Sequence, residues 1–242
     1  MHISFQGQVP KDLAYPDDIE DAFARAPDAG RVAISDGASE SYDSRSWARL
    51  LVERFVADTH VDLGWLKGAI AAYKEQSDFT ELSWSHQEAF DRGSFASLLG
   101  IEHVPEARRL EVHCVGDSVA MLIDGRGHLH RKFSYLRSAS FRQRPNLLST
   151  NPARNAFFTG WRSLESQIAL WPLFPEEPWF VLCMTDAMGE WALRQHERRQ
   201  PVWNKLLALE DQTALNALVA EARDNRAMRV DDVTLVRLAF HD

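Results

Sequence analysis

Four aspartates stand where apolar, strand-like runs of the sequence begin or end. Asp36 follows RVAIS, and Asp186 follows FVLCMT. Asp117 lies between two such runs, and Asp231 precedes VTLVRL. Strand ends at one edge of a sheet can lie close together although they are distant in sequence, so these carboxylates could converge on one cation or a pair. Carboxylate oxygens are the ligands that Mg²⁺ and Mn²⁺ prefer, and the pattern therefore predicts a site for hard divalent cations.

Each aspartate alone also has an ordinary structural interpretation, because an aspartate beside a strand often forms a turn or caps a helix. The recurrence of the pattern at four strand ends favours a shared metal site over four unrelated turns. Gly37 supports this interpretation, since a glycine beside Asp36 lets the backbone come close enough for its carbonyl to bind a cation as well.

Other chemistries fit the same region less well. The stretch GASES, residues 37–41, nearly matches the nucleophile elbow Gly-x-Ser-x-Gly. Its last position is Ser41, and the following helix is predicted to begin near Ser44, too late to hold Ser39 on the required sharp turn. An aspartyl-phosphate mechanism with an Asp-x-Asp start would need a carboxylate at position 34, which is isoleucine. No glycine-rich nucleotide-binding motif is present.

The elements that must position these residues fall into separate groups of strands and helices. After RVAIS, apolar periodicity predicts helices over residues 44–58, about 61–76 and about 84–99. Residues 110–133 predict a short antiparallel meander, interrupted at Gly116-Asp117 and at 125–127. A long ordered loop is predicted over 134–158. A strand over PWFVLCMT, helices from Asp186 and over about 202–224, and a final strand over VTLVRLAF follow.

This segregation of strands and helices predicts an α+β fold with helices packed over mostly antiparallel sheets. The sequence has no internal repeat and no obvious linker. At 242 residues and 45% hydrophobic composition it can bury a full core. We therefore expect a single domain over residues 1–242.

Composition narrows the possible partners. The formal net charge is −8, from 27 basic and 35 acidic residues, and the basic residues form no cluster. We therefore expect neither a nucleic-acid nor an anionic-membrane partner. No run of eighteen apolar residues occurs, and the N-terminus lacks a signal-peptide pattern. Cys114 and Cys183 lie in apolar runs, which predicts core packing in a reducing compartment and a cytoplasmic protein. The pattern leaves the oligomeric state open.

Five stretches, in order, resemble the signature blocks of the metal-dependent protein phosphatases of type 2C. Those blocks are an early Glu-Asp, an Asp-Gly at a strand end, a Gly-Asp-Ser in a hairpin, a Ser-Asp-Gly at a strand end, and an Asp-Asn before a final strand. The resemblance implies a four-layer α/β/β/α sandwich. The matching stretches are IEDAF (19–23), AISDGASES (33–41), CVGDSVAML (114–122), LCMTDAMGEW (182–191) and DDVTLVRL (231–238).

The resemblance also implies a site with two Mn²⁺ or Mg²⁺ ions at one end of the sheets. Asp36 would bridge the two ions, and the carbonyl of Gly37 would bind one of them. Asp186 and Asp231 would bind the other, so that Asp36, Asp186 and Asp231 form the catalytic centre. The further implied ligands are Glu20 and Asp21, directly or through water, and Asp117 for a third, weaker ion.

One departure from the family affects phosphate binding. Its members usually carry an arginine four residues before the early glutamate, where this sequence has Pro16. Lys11 is the nearby basic residue, and the predicted loop over 134–158 contains four arginines. We expect Arg142 or Arg144 to supply a bidentate phosphate clamp in place of the missing side chain.

The resulting prediction is a metal-dependent phosphomonoester hydrolase that uses a water activated by two metal ions. Its substrate would be a protein phosphorylated on serine or threonine, or another phosphomonoester. The alternative is a non-catalytic, phosphatase-like module that binds metal or a partner, as Pro16 suggests. Against it, Asp36, Asp186 and Asp231 are retained, although converging carboxylates repel one another when no cation is bound.

Overall fold

Two five-stranded antiparallel sheets lie face to face. The computed structural model of the chain describes residues 1–39, 41–76, 84–158, 166–174 and 178–240. The strands are β1 (His2–Val9), β2 (Ala22–Ala26), β3 (Arg31–Ser35), β4 (Phe95–Ala96), β5 (Leu98–Val104), β6 (Arg109–Val115), β7 (Val119–Asp124), β8 (Leu129–Phe133), β9 (Leu148–Ser149), β10 (Ile168–Pro172), β11 (Trp179–Met184) and β12 (Val233–Phe240). The first sheet has the order β1-β12-β11-β7-β8, the second has the order β10-β6-β5-β3-β2, and β4 pairs with β9.

Helices cover the outer face of each sheet. The helices are α1 (Ser44–Ala57), α2 (Leu63–Gln76), α3 (Trp84–Arg92), α4 (Asp186–Glu197), α5 (Val202–Leu207) and α6 (Gln212–Asp224). One buried cluster joins α1 and α2 to the second sheet, and another joins α4, α5 and α6 to the first sheet. A third cluster lies between the two sheets. The α+β class and the four-layer α/β/β/α sandwich are confirmed.

Local sequence explains why α1 begins and packs where it does. Asp43 caps its N-terminus by accepting a hydrogen bond from the backbone N–H of Ser46 at 3.1 Å. Trp47, Leu51 and Phe55 recur at four-residue spacing and are fully buried against the second sheet. The helix predicted over 44–58 is therefore confirmed, and it fixes the chain directly after Asp36 and Gly37.

The helix predicted over about 84–99 extends too far. It ends at Arg92, and Gly93 follows with a φ of 95°. Residues 98–101 instead belong to β5, in the middle of the second sheet. All four are buried, because α1 covers one face of the strand and the first sheet covers the other. A strand buried on both faces lacks the alternation that distinguishes it from a helix.

The predicted meander over 110–133 is wrong in one respect that matters for the site. Strand β6 pairs with β5 and β10, whereas β7 pairs with β11 and β8, so the chain crosses from the second sheet to the first at Gly116-Asp117. Gly116 has a φ of 104°, and a Cβ there would lie 2.7 Å from the Cβ of Ser97. The crossing therefore requires glycine, and it places Asp117 between the two sheets.

Cys114 and Cys183 are both free thiols and buried in the core between the sheets, as predicted. Among the described residues, no helix combines the length and the apolar character needed to cross a membrane.

Candidate metal centre

The strand registers bring the predicted aspartates to one end of the sandwich. In the second sheet, the start of β2 pairs with the end of β3, through Ala22 and Ser35. In the first sheet, Met184 at the end of β11 pairs with Val119 at the start of β7 and with Leu235 near the start of β12. Residues that lie one to four positions beyond these paired residues therefore share one edge. They are Asp21, Asp36, Asp117, Asp186 and Asp231.

Three carboxylates from this edge form a compact group. One oxygen from each of Asp36, Asp117 and Asp186 lies within 4.8 Å of the others. Among the residues that the structure describes, this is the one group of three or more possible metal ligands with such spacing. The three side chains come from the end of β3, from the crossing between the sheets and from the start of α4, so only the folded chain assembles them.

Serines hold the first two aspartates in place. The backbone N–H of Asp36 donates to the Ser97 hydroxyl at 3.0 Å, and the backbone N–H of Ser97 donates to the Asp36 carbonyl at 2.9 Å. The hydroxyls of Ser97 and Ser118 share a hydrogen bond of 2.8 Å, which links the residue next to Asp117 to the same anchor. The backbone positions of these two carboxylates are thus coupled.

Gly37 is required by a close approach of the backbone. A Cβ at this position would lie 2.9 Å from the carbonyl oxygen of Glu20 and 3.0 Å from both the Cβ and the carbonyl oxygen of Ser44. These contacts are too short for any side chain, so the chain can follow this path only with glycine. The proposed role of the Gly37 carbonyl as a metal ligand stays a prediction.

Asp186 lies in the first turn of α4, with Thr185 as the N-cap residue. The free N–H groups of a helix N-terminus favour a carboxylate at this position. Its Oδ1 atom is buried and accepts no hydrogen bond from any described residue. A buried, ionised oxygen without a hydrogen bond needs a cation or a hydrogen-bond donor beside it.

Asp21 is buried beside this group. Its Oδ2 atom accepts hydrogen bonds from the hydroxyls of Thr185 at 2.9 Å and Thr234 at 2.7 Å. Its Oδ1 atom is buried and has no hydrogen-bond donor among the described residues. Burial, with the negative charges of Asp232 and Asp231, raises the pKa of Asp21 to about 7, although the threonine hydrogen bonds oppose the shift.

Burial also raises the pKa of two other carboxylates at this edge. Burial raises the pKa of Asp36 well above its usual value, and the charges of Asp21, Asp117 and Asp231 raise it further. Burial likewise raises the pKa of Asp117. A cluster of this kind is stable in its ionised form only when a positive charge lies among its oxygens.

The donor set fits divalent metal ions. The converging side chains that could bind a metal ion are carboxylates, which suit Mg²⁺ and Mn²⁺. Two of them, Asp21 and Asp186, each point a buried oxygen at no described donor. The residues present therefore fit the predicted metal site, and the assignment of individual ligands stays a prediction.

Glu20 has other partners in this structure. Its Oε1 atom accepts a hydrogen bond from the Ser44 hydroxyl at 2.6 Å, and its Oε2 atom contacts the Lys11 ammonium and the Ser39 hydroxyl. Burial alone would raise the pKa of Glu20, but the hydrogen bonds from Lys11, Ser39 and Ser44 lower it. Lys11 is thus paired with a carboxylate, and Glu20 stays a predicted ligand, directly or through water.

Arg229 is a charged residue at this edge that the sequence analysis missed. Its guanidinium pairs with the carboxylate of Asp186, and its Nε atom lies 3.7 Å from Oδ2 of Asp231. Its charge also lowers the pKa of Asp36 and Asp117 against the effect of burial. In the sequence it is one of 27 basic residues, and only its position two residues before Asp231 could have drawn attention to it.

The predicted phosphate clamp lies in the loop that follows β8. Both Arg142 and Arg144 are exposed, and neither forms an ion pair with any residue that the structure describes. Arg142 ends a short 3₁₀ turn, Ser138–Arg142, that packs against α4. Their role in phosphate binding stays a prediction.

Comparison with known proteins identifies the architecture. No protein-family model matches the chain, and no curated protein sequence matches it. Solved structures do match, among them the photosystem II phosphatase PBCP, with a TM-score of 0.61 and 15% identity over 98% of each chain. The chain has the fold of the type 2C protein phosphatases.

Two further solved structures share this phosphatase fold. The catalytic domain of the serine/threonine phosphatase PstP, in complex with two manganese ions, has a TM-score of 0.60 at 14% identity, over 98% of this chain and 97% of that one. Stp1 from Staphylococcus aureus has a TM-score of 0.59 at 13% identity, over 100% of this chain and 96% of that one. The sequence resemblance is thereby confirmed at the level of the fold.

Proposed function

We propose that this protein is a metal-dependent phosphomonoester hydrolase of the type 2C family, formed by a single domain over residues 1–242. The observation that carries the proposal is the convergence of Asp36, Asp117 and Asp186 at one end of a fold shared with serine/threonine phosphatases. The proposed substrate is a protein phosphorylated on serine or threonine, because the structural neighbours are phosphatases of this kind. The proposed location is the cytoplasm, which agrees with two free cysteines.

The proposed ligands are the carboxylates of Asp36, Asp186 and Asp231 with the carbonyl of Gly37, joined by Glu20 and Asp21 directly or through water. Asp117 would hold a third, weaker ion. Two bound Mn²⁺ or Mg²⁺ ions would activate a water as nucleophile and neutralise charge on the phosphoryl oxygens. The chain itself would hold the carboxylates in fixed positions through Ser97, Thr185 and Thr234.

No side-chain nucleophile is needed for this chemistry. Ser39, the serine of the elbow-like stretch, contacts Glu20 and Lys11, and no described histidine contacts it. A second alternative is a metal site formed by His128 and His130, but both contact the Asp124 carboxylate at 3.0 Å, at the other end of β7. Neither arrangement supports a serine hydrolase or a histidine metal site. Pro16 suggests the non-catalytic module, and the contacts of the described residues add no support for it.

The first experiment is hydrolysis of p-nitrophenyl phosphate across a Mn²⁺ titration. We expect turnover that depends on Mn²⁺ in the unmodified protein and a loss of at least a hundredfold in Asp36→Asn, which removes a central ligand charge. Asp28→Asn, an exposed site with the same change of charge, is the matched control. A folded protein that binds Mn²⁺ but hydrolyses neither this substrate nor a phosphoserine peptide would refute catalysis and support the non-catalytic module.

A further inference from the structure

Arg229 sits among the carboxylates of the candidate metal centre. Its guanidinium pairs with Asp186 and lies 3.7 Å from the Asp231 carboxylate, measured from Nε. Both partners are proposed metal ligands. A divalent ion bound by these two carboxylates would take the place of the guanidinium as their main counter-ion, because it neutralises the negative charge that now holds Arg229. Metal binding would therefore release Arg229 from its present partners.

The released guanidinium would have hydrogen-bonding capacity available. Its Nε and Nη2 atoms are buried, and their ion-pair partners among the described residues are the carboxylates of Asp231 and Asp186. Once released, this buried charged group would lack its acceptor, which is costly, so it would favour an anionic ligand. An arginine fork is suited to a tetrahedral oxyanion because two parallel N–H groups can bind two of its oxygens.

The net charge of the site also favours a protein cation that binds phosphate. When ionised, the five carboxylates at this edge carry more negative charge than two divalent ions neutralise while the weaker third site is empty. A phosphomonoester dianion would then approach a site that remains net negative unless the protein adds a cation. The carboxylates are those of Asp21, Asp36, Asp117, Asp186 and Asp231.

The neighbouring cations are already engaged. Lys11 is paired with Glu20 and also donates to the Ser39 hydroxyl at 2.9 Å. Arg223 donates to the carbonyl oxygens of Pro10 at 3.0 Å and Asp231 at 2.5 Å, so it fixes the backbone. Arg229, by contrast, has ion pairs only with proposed metal ligands among the described residues.

We propose that Arg229 is the phosphate-binding residue of this site, held by Asp186 and Asp231 until metal ions take those carboxylates and then turned to the phosphoryl group. The assignment rests on the proposed function. It is an alternative to the clamp expected from Arg142 or Arg144, which stays a prediction.

The proposal predicts two effects of opposite sign when the side chain is removed. In Arg229→Ala, Mn²⁺ should bind more tightly, by about fivefold or more, because no internal cation competes for the carboxylates. Inorganic phosphate should bind to the Mn²⁺-loaded variant at least tenfold more weakly, because a charge-assisted pair is lost. Arg229→Lys should recover part of the phosphate affinity.

Calorimetric titrations test both effects, first with Mn²⁺ on the metal-free protein and then with inorganic phosphate on the Mn²⁺-loaded protein. Arg49→Ala removes the same charge from the exposed face of α1 and should change neither affinity. Circular dichroism checks folding, and Arg229→Gln, which keeps more of the side chain, serves if Arg229→Ala does not fold.

Each outcome decides the proposal. Tighter Mn²⁺ binding together with weaker phosphate binding supports it. Unchanged phosphate affinity in Arg229→Ala overturns it while leaving the proposed function intact. Weaker binding of both ligands, unrelieved in Arg229→Lys, would show a structural role and also overturn it. If the unmodified protein binds no Mn²⁺, the proposed function fails first, and the assignment of Arg229 fails with it.

Discussion

Asp21 shows how one buried carboxylate links stability to pH. Its pKa is raised to about 7 by burial and by nearby negative charges. A raised pKa means that the folded protein binds the proton more tightly than the unfolded chain does. Proton binding by Asp21 therefore stabilises the folded state, and this stabilisation is complete below pH 3.8, the ordinary pKa of the group. It is lost as the pH rises from there through about 7. Near neutral pH the metal-free protein must hold a poorly compensated charge.

We expect Asp21→Asn to stabilise the metal-free protein at pH 7.5 by about 1–3 kcal/mol, since the amide carries no charge. At pH 4 the difference should be much smaller, because the folded protein then holds Asp21 protonated. Urea unfolding at both pH values, with a chelator present, measures the difference. The exposed Asp28→Asn is the control and should show no such dependence. Equal destabilisation at both pH values would mean that the hydrogen bonds from Thr185 and Thr234 outweigh the buried charge.

At the scale of the elements, the start of β12 anchors a segment of the N-terminal chain. Asp232, directly before this strand, accepts the backbone N–H of Lys11 at 2.6 Å through Oδ1 and that of Glu20 at 2.8 Å through Oδ2. One side chain thus fixes both ends of residues 11–20. This segment carries the predicted ligand Glu20 and its partner Lys11 to the metal centre, so the anchor connects β12 to the position of that ligand.

We expect Asp232→Ala to free residues 11–20 at their two ends and to lower the free energy of unfolding by about 1–3 kcal/mol, because two partly buried N–H groups lose their acceptor. Hydrogen exchange at the amides of Lys11 and Glu20 should accelerate at least tenfold, while β11 keeps its protection. Asp12→Ala lies in the same segment but removes only an exposed contact to Ala14, and it should leave both amides unchanged. Unaltered exchange in Asp232→Ala would exclude the anchor.

The elements also show what sequence patterns can and cannot predict here. Strands β3, β11 and β12 and helices α1 and α2 were predictable, because strong apolar runs or a capped, periodic pattern mark them. The strands β1, β2 and β10 were missed, and β5 was partly assigned to a helix. The sheet crossing at Gly116 depends on long-range pairing, which local alternation does not encode.

The residues of the candidate site likewise include some that the sequence predicts and some that it does not. Four of its aspartates were predictable because each lies beside an apolar run, whereas Asp21 was expected only from the family resemblance. Their supporting residues, Ser97, Thr185 and Thr234, are ordinary serine and threonine in the sequence and gain their roles only from contacts between distant strands. Arg229 was unpredictable for the same reason, since its ion pair with Asp186 joins residues that are far apart in the chain.

At the scale of the whole molecule, the metal centre spans both sheets. Asp36 follows a strand of the second sheet, Asp186 follows a strand of the first, and Asp117 lies on the crossing between them. The carboxylates come together only when the two sheets are packed through the apolar core between them. A metal ion bound there would hold the two halves of the sandwich together, so its effect belongs to global unfolding and not to one loop.

We therefore expect Mn²⁺ to raise the thermal midpoint of the whole protein. Binding to the folded state alone contributes about 2.7 kcal/mol when the free metal is a hundred times its dissociation constant. For a chain of 242 residues this corresponds to a rise of about 5–10 °C. The rise should be larger at pH 7.5 than at pH 5, because protons compete for carboxylates whose pKa values burial has raised. Differential scanning calorimetry measures both quantities, and Asp36→Asn should lose most of the rise. If Mn²⁺ left the thermal midpoint unchanged at both pH values, the result would contradict a metal site shared by the two sheets.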